Sequence, residues 1–259
     1  MSATVISLFN NKGGVGKTTS TINIAAELAE NNGCKVLIID TDPQANCTEG
    51  LGIREHDTIP NLLDVFNSDN PDISEAITSI EEINNLDIVP ATNELSAIEL
   101  SGEIGVEMLL KQAVKKITDD YDYIFLDLPP SLGKISTGAL IAAQYILIPI
   151  QSEYYPLRGI KSLMKAFKRI KNRLNPELTI LGAFVTMYDQ RTNISKEAEK
   201  QIKNVFGDKV FNTRIRRNVT LAEAPSEGIP VVIYDDSSYG AEDYKELTNE
   251  VKNRVQERA

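Results

Sequence analysis

The stretch Asn10-Asn11-Lys12-Gly13-Gly14-Val15-Gly16-Lys17-Thr18-Thr19 constrains the fold more than any other part of the chain. It follows a short apolar run, Val5-Ile6-Ser7-Leu8-Phe9, and precedes a helical pattern from Thr21 to Ala29. Strand, glycine-rich loop and helix, in that order, form the context of a phosphate-binding loop. Backbone N–H groups can close round phosphate oxygens only where no Cβ intervenes, which places glycines at the bends. The helix that follows points its positive end at the same anion. In such a loop Lys17 reaches the β- and γ-phosphates of a nucleotide and the Thr18 hydroxyl ligates Mg²⁺, while Gly13, Gly14, Val15, Gly16 and Thr19 complete the cradle.

Two further apolar runs end in carboxylates. Lys35-Val36-Leu37-Ile38-Ile39 reads as a strand buried on both faces and delivers Asp40 at its carboxyl end. Pro43 disfavours helix in Asp40-Thr41-Asp42-Pro43-Gln44-Ala45-Asn46, so Asp42 falls on a loop at the edge where parallel sheets bind ligands. Tyr121-Asp122-Tyr123-Ile124-Phe125-Leu126-Asp127 repeats the pattern, and a sheet would hold Asp127 beside Mg²⁺ through a coordinated water. More strands are expected at Leu86–Pro90, Tyr145–Ile150 and Ile180–Met187, and helices near 98–119 (apolar at Met108, Leu109, Val114 and Ile117), 158–173 and 241–258. Residues 53–85 show only short helical patterns. Alternating strands and helices predict one α/β domain over 1–259, a doubly wound, mostly parallel sheet with helices on both faces.

The loop departs from the common pattern G-x-x-x-x-G-K-[ST] by carrying Asn11 in place of the first glycine and a second lysine, Lys12. In this it resembles the deviant Walker A loop, K-G-G-x-G-K-[ST], of the ParA/MinD class of P-loop ATPases. The resemblance to ParA/Soj-type partition ATPases extends from Val5 to about Tyr244. It includes D-x-D-P-Q-x-N at Asp40–Asn46, D-x-P-P-S-L-G at Asp127–Gly133 and P-x-Q-x-E-x-x-x-L-x-G at Pro149–Gly159. It also includes T-M-Y-D-x-R-T-N at Thr186–Asn193 and E-A-P-S-x-G-x-P-V at Glu223–Val231. Gly138 stands where the family usually has Asn, so that side chain's contacts do not carry over.

The resemblance implies an ATPase that requires Mg²⁺ and turns over slowly without a partner. Lys12 would reach the nucleotide of a second subunit, and Asp42 would position the attacking water. Asp40 would lie in the outer shell of the metal, and Met187 and Pro225 near the adenine. It further implies an ATP-dependent homodimer, non-specific DNA binding, a ParB-like protein that stimulates hydrolysis, and a cytoplasmic, nucleoid-associated life without membrane attachment. A loop starting at residue 10 leaves no room before it for an operator-binding domain.

Charge supports this unevenly. The net charge is −10, yet residues 158–217 hold 15 Lys/Arg against 5 Asp/Glu. Local fields govern phosphate binding. By the resemblance Arg191 and Arg217 contact DNA phosphates, with Arg214, Arg216 and Lys196 as neighbours; Arg216 replaces the family's proline and is expected to add charge. Arg158 to Arg173 carries seven basic residues and no acid, opposite an apolar stripe at Ile160, Leu163, Met164, Phe167 and Ile170.

No apolar run approaches ~18 residues, the length of a membrane span. The N-terminus lacks the basic flank of a signal peptide. Cys34 and Cys47 have no metal-ligand spacing, and His56 is assigned no role. The main alternative is a MinD-like ATPase, which binds membrane through a terminal amphipathic helix; the tail here offers no Phe, Leu, Ile or Trp after Glu250.

Overall fold

The structure of the chain, a computed structural model, describes residues 2–54, 60–68, 70–102, 105–153 and 156–258, with the side chains of 156–158 excepted. His56, Tyr154 and Tyr155 lie outside the described residues. The strands are β1 Thr4–Leu8, β2 Val36–Asp40, β3 Thr78–Ser79, β4 Leu86–Val89, β5 Tyr123–Asp127, β6 Tyr145–Gln151, β7 Thr179–Tyr188 and β8 Val210–Arg216. They form one eight-stranded sheet in the order β3-β4-β2-β5-β1-β6-β7-β8. All pairs are parallel except β3 with β4. The central strands are mostly apolar because helices cover both faces.

Among the described helices, α1 is Lys17–Ala26, α2 Asn46–Gly50, α3 Leu62–Phe66, α4 Ser96–Leu100, α5 Val106–Ile117 and α6 Lys134–Ala142. They continue with α7 Pro156–Arg173, α8 Asn193–Phe206, α9 Thr220–Glu223, α10 Val231–Tyr234 and α11 Tyr239–Gln256. One core lies under α5, α6, α7 and α8, where Leu110, Ile135, Leu163 and Ile202 meet the sheet. The other lies under α1, α10 and α11, where Ile24, Val231, Leu247 and Val251 do the same.

The fold class expected from the sequence is the one observed. Three local differences have physical reasons. The helix expected over 98–119 is two helices, α4 and α5, and Gly105 at φ +87 starts the second. Within α5 Val106, Leu110, Ala113, Val114 and Ile117 share the core face, and Met108, about 180° round from Ile117 at about 100° per residue, is 42% exposed. The strand expected from Tyr121 starts at Tyr123. Finally, β3 is only two exposed residues and β8 alternates polar with apolar, so neither carries a long apolar run.

Candidate nucleotide site

The loop from Asn10 to Gly16 runs from the end of β1 into α1 and is tied to its neighbours before any ligand arrives. The Asn10 side chain donates to the Pro149 carbonyl at 2.8 Å and accepts from the Lys12 amide at 3.0 Å. Thr186 Oγ1 donates to the Val15 carbonyl at 2.8 Å, which fixes the far side of the loop to β7. Gly14 and Gly16 have φ of +69 and +90, a backbone region that L side chains rarely enter. Such a turn aims successive N–H groups into one concavity.

That concavity is a cavity of about 450 Å³ lined by Gly13, Gly14, Gly16, Lys17, Thr18 and Thr19 on one side. Ile22, also on α1, lines it too, together with Asp42, Gln44, Asn46, Pro130 and Pro225. Lys17 is only 7% exposed, and its Nζ donates to the Lys12 carbonyl at 3.3 Å. Burial lowers its pKa, against the opposing pull of Asp127 and Asp42. A buried ammonium beside carboxylates, facing an open cavity, is a group arranged for an anion.

Asp40 and Asp127 sit side by side at the ends of adjacent strands. Asp127 accepts from Thr18 Oγ1 at 2.6 Å and Thr21 Oγ1 at 3.0 Å. Burial raises its pKa to about 6, while the threonine hydroxyls and Lys17 pull it back. The Asp40 carboxylate serves the chain itself. It accepts from the Thr48 amide and hydroxyl at 2.9 and 2.8 Å and from the Asp42 amide at 3.1 Å. Burial first, and Asp127 second, raise its pKa to about 7. Asp40 thereby holds the start of α2 and the loop bearing Asp42. In that loop Ala45 has φ +52, an uncommon conformation for a residue with a Cβ.

Lys12 and Lys17 part company. Lys12 does not line the cavity that Lys17 lines; it borders a neighbouring groove with Gln151, Gly159 and Ser162. Its Nζ bonds Glu153 Oε2 at 2.5 Å and Gln151 Oε1 at 3.2 Å, and its side chain stays 45% exposed. Of the two residues expected near the base, Pro225 lines the cavity, whereas Met187 sits at the end of β7 outside it, with φ +52 and its carbonyl accepting from Ser152.

The segment from Leu128 to Gly133 enters α6 over a carboxylate. Glu99 accepts from the Lys134 and Ile135 amides at 2.7 and 3.1 Å, satisfying two orphan donors of the helix start. A Cβ on Gly133 would lie 2.0 Å from Glu99 Oε2, so any larger residue there would push the Glu99 carboxylate off the α6 amides. At Gly138 a Cβ would meet the Glu107 carbonyl at 3.1 Å, a tight approach of α6 to α5 that a side chain such as the family's asparagine would have to push apart by a few tenths of an ångström. Glu99, Thr21, Thr48 and Thr186 are not picked out by sequence reasoning, because each acts through a partner far along the chain.

The arginines expected on DNA lie at the ends of β7 and β8, away from the cavity. Arg191 is paired with Asp189, whose carboxyl it holds down at about 2. Arg214 pairs with Glu199 at 2.6 Å and lies over the Tyr188 ring. Arg216 pairs with Asp243 at 2.6 Å and Glu242 at 2.5 Å, so the positive charge expected from it is cancelled locally. Arg217 and Lys196 are exposed and enter no ion pair among the described residues.

A parallel sheet, a glycine loop with a buried lysine and a threonine–aspartate pair define a P-loop nucleotide-binding protein. Comparison with known proteins narrows the class. A family model described as an AAA domain (AAA_31) matches residues 3–180. The sporulation initiation inhibitor protein Soj of Bacillus subtilis is 43% identical over 249 residues, covering 95% of this chain and 97% of that one. The chromosome partitioning protein ParA of Caulobacter vibrioides is 39% identical over 260 residues, covering 98% and 96%. Among solved structures, cobyrinic acid a,c-diamide synthase from Mycobacterium smegmatis, with bound ATP analogue and magnesium, superposes with a TM-score of 0.84 at 29% identity, covering 99% and 97%. The chain belongs to the Soj/ParA family of partition ATPases.

Proposed function

We propose that the chain binds ATP with Mg²⁺, pairs with a second copy across the bound nucleotide, and in that state binds DNA without sequence preference. The residues of the cavity fit the ligand: positive-φ glycines, a buried Lys17, and Thr18 beside Asp127. Thr18 would ligate the metal directly, Asp127 through water, and Asp40 from the outer shell while it keeps the Asp42 loop in register. Magnesium, when bound, neutralises charge on the β- and γ-phosphates. Lys17 adds a charge-assisted hydrogen bond to the same oxygens. Asp42 would orient the attacking water, and Pro225, with Met187 beyond it, would flank the base.

The observation that carries the pairing is Lys12. The second lysine of the loop is held by Glu153 and Gln151 at a surface groove, outside its own chain's phosphate cavity. A partner's phosphates would draw it away from Glu153, making the nucleotide part of the interface. Light scattering tests this: with ATP the protein should double in mass, and Lys12→Ala should bind nucleotide yet remain single. A Lys12→Ala protein that doubles normally would remove the cross-subunit role.

DNA binding would be carried by Arg217, Arg191 and Lys196, with Arg214 and Arg216 behind them. Phosphate contacts carry no sequence information, and a doubled contact count strengthens binding steeply through counterion release. ATP control of pairing then becomes ATP control of DNA binding. A ParB-like partner that stimulates hydrolysis would release the protein locally. The membrane alternative is disfavoured by α11, whose Leu247, Val251 and Val255 are buried against the body and leave no free apolar face. No described helix is long and apolar enough to cross a membrane.

A further inference from the structure

Helix α7 carries much of the chain's local excess of positive charge, and neither the nucleotide cavity nor the arginine region uses it. Its apolar residues are committed to the core, with Ile160, Leu163, Phe167 and Ile170 all below 9% exposure. Lys161, Lys165, Lys168, Arg169 and Arg173 are all exposed. At about 100° per residue, Lys168, Lys161 and Lys165 fall within about 60° of one another, and Arg169 lies about 40° further round. The run from Lys161 to Lys168 covers about 10 Å at ~1.5 Å per residue, and Arg173 lies about 120° round from Lys161. Residues 156–173 contain no Asp or Glu. None of these five side chains enters an ion pair among the described residues. Among the described basic side chains of α7, Lys171 is spent on the Leu178 carbonyl at 2.7 Å. Arg169 and Arg173 share a groove with Glu107 and with Glu99, whose carboxylate already serves α6, so the three lysines form the least compensated part.

We propose that the exposed face of α7, led by Lys161, Lys165 and Lys168, is a second track for the sugar–phosphate backbone of duplex DNA. This rests on the DNA reading above and adds a contact surface on another helix. From Lys161 to Lys168 the stripe offers charge without an apolar anchor, since the other exposed residue there is Ser162; the exposed Leu132 and Leu174 lie in the groove of Arg169 and Arg173. Protein partners depend on buried aromatic or aliphatic anchors, whereas a polyphosphate needs only placed cations. One DNA strand presents a phosphate every ~3.4 Å of axis, so the ~10 Å run of three lysines spans about three. Among the described side chains of α7, Ile160, Leu163, Phe167 and Ile170 are buried in the core and are not free to enter a bilayer. The helix packs beside α8, where Lys196 and Lys200 are exposed, so the two DNA surfaces are neighbours. It also begins at the groove that holds Lys12, the edge across which two chains would pair.

The test uses the full chain with ATP and Mg²⁺, titrated onto unrelated fluorescent duplexes across a salt series. Wild type is compared with Arg217→Ala and with the triple variant Lys161→Gln, Lys165→Gln, Lys168→Gln. ATP-dependent doubling and DNA-free ATP turnover report whether each variant is folded and paired. The slope of log affinity against log salt should fall by about 2–3 per chain in the triple variant, since each lost phosphate contact removes ~0.9. Affinity should fall at least ~10-fold, equally for every duplex, with pairing and turnover unchanged. An unchanged slope in a triple variant that doubles normally, alongside weakened binding by Arg217→Ala, would overturn the α7 track and leave the DNA reading standing. Wild type that binds no duplex would overturn both. Loss of binding to phosphatidylglycerol vesicles, with DNA binding intact, would assign the stripe to lipid and also overturn the proposal.

Discussion

Two edges of the same sheet gather charge and treat it in opposite ways. At the ends of β1, β2 and β5, Lys17, Asp40, Asp42 and Asp127 are each at most 7% exposed, with Lys17 and Asp42 lining a cavity and Asp40 and Asp127 buried behind it. At the ends of β7 and β8, Arg191, Arg214 and Arg216 lie near the surface, each matched by an acid of its own chain. Burying charge is costly, so a fold that does it around a cavity is arranged for a ligand that supplies the missing charge. Surface pairs cost little and are worth little. A count of arginines along a sequence therefore overstates the charge a surface presents, whereas a buried lysine in a glycine loop is strong evidence for its anion.

The sharpest way to break this contrast is Lys17→Ala. Removing the buried ammonium should weaken ATP binding by about 10³-fold, given the cost of leaving a buried charge unpaired. Arg191→Ala, at the other edge, should leave it unchanged in the same calorimetric titration. Asp42→Ala comes next: it should keep ATP and the paired state while turnover falls by about 10²-fold, the usual worth of a positioned water-handling group. Wild-type turnover in a phosphate-release assay would remove that role.

A smaller effect sharpens the arginine side. Arg216→Ala leaves Asp243, whose side chain is 5% exposed, without its partner and should cost about 2 kcal/mol in chemical denaturation. Its effect on DNA affinity should be slight. The adjacent Arg217→Ala should reverse the pattern, with stability within ~0.5 kcal/mol of wild type and DNA affinity reduced several-fold. Equal effects of the two on DNA would show that ion-paired arginines are as available as free ones. The smallest expected change is Glu99→Ala, which removes the acceptor for two α6 amides and should cost about 1 kcal/mol, the typical worth of an N-terminal cap.

How much of this was legible in the sequence depends on distance along the chain. The phosphate loop, the apolar runs ending in Asp40 and Asp127, and the proline after Asp42 are local patterns, and each lands where the pattern places it. The bonds from Thr48 to Asp40 and from the α6 amides to Glu99 join residues 8 and about 35 positions apart, with no local signature. Met108 was expected in the core because it is apolar, but a spacing of about 3.6 residues per turn puts it about 180° from Ile117, and Leu110, on the face of Val106, Val114 and Ile117, is buried instead. Arg216 reads as added charge until β8 lies beside α11 and Asp243 meets it. Glu153 and Gln151 belong to a motif that resemblance marks without explaining, and the groove beside Lys12 supplies the reason.

The central claim is that nucleotide state at the buried edge controls what the exposed edge binds. The most direct measurement is the affinity of the wild-type chain for one duplex, by fluorescence anisotropy, with Mg·ATP and then with Mg·ADP at the same salt. The account predicts tight binding with ATP that weakens at least ~10-fold with ADP, because an unpaired chain has half the phosphate contacts. Equal affinity in the two nucleotide states would contradict it.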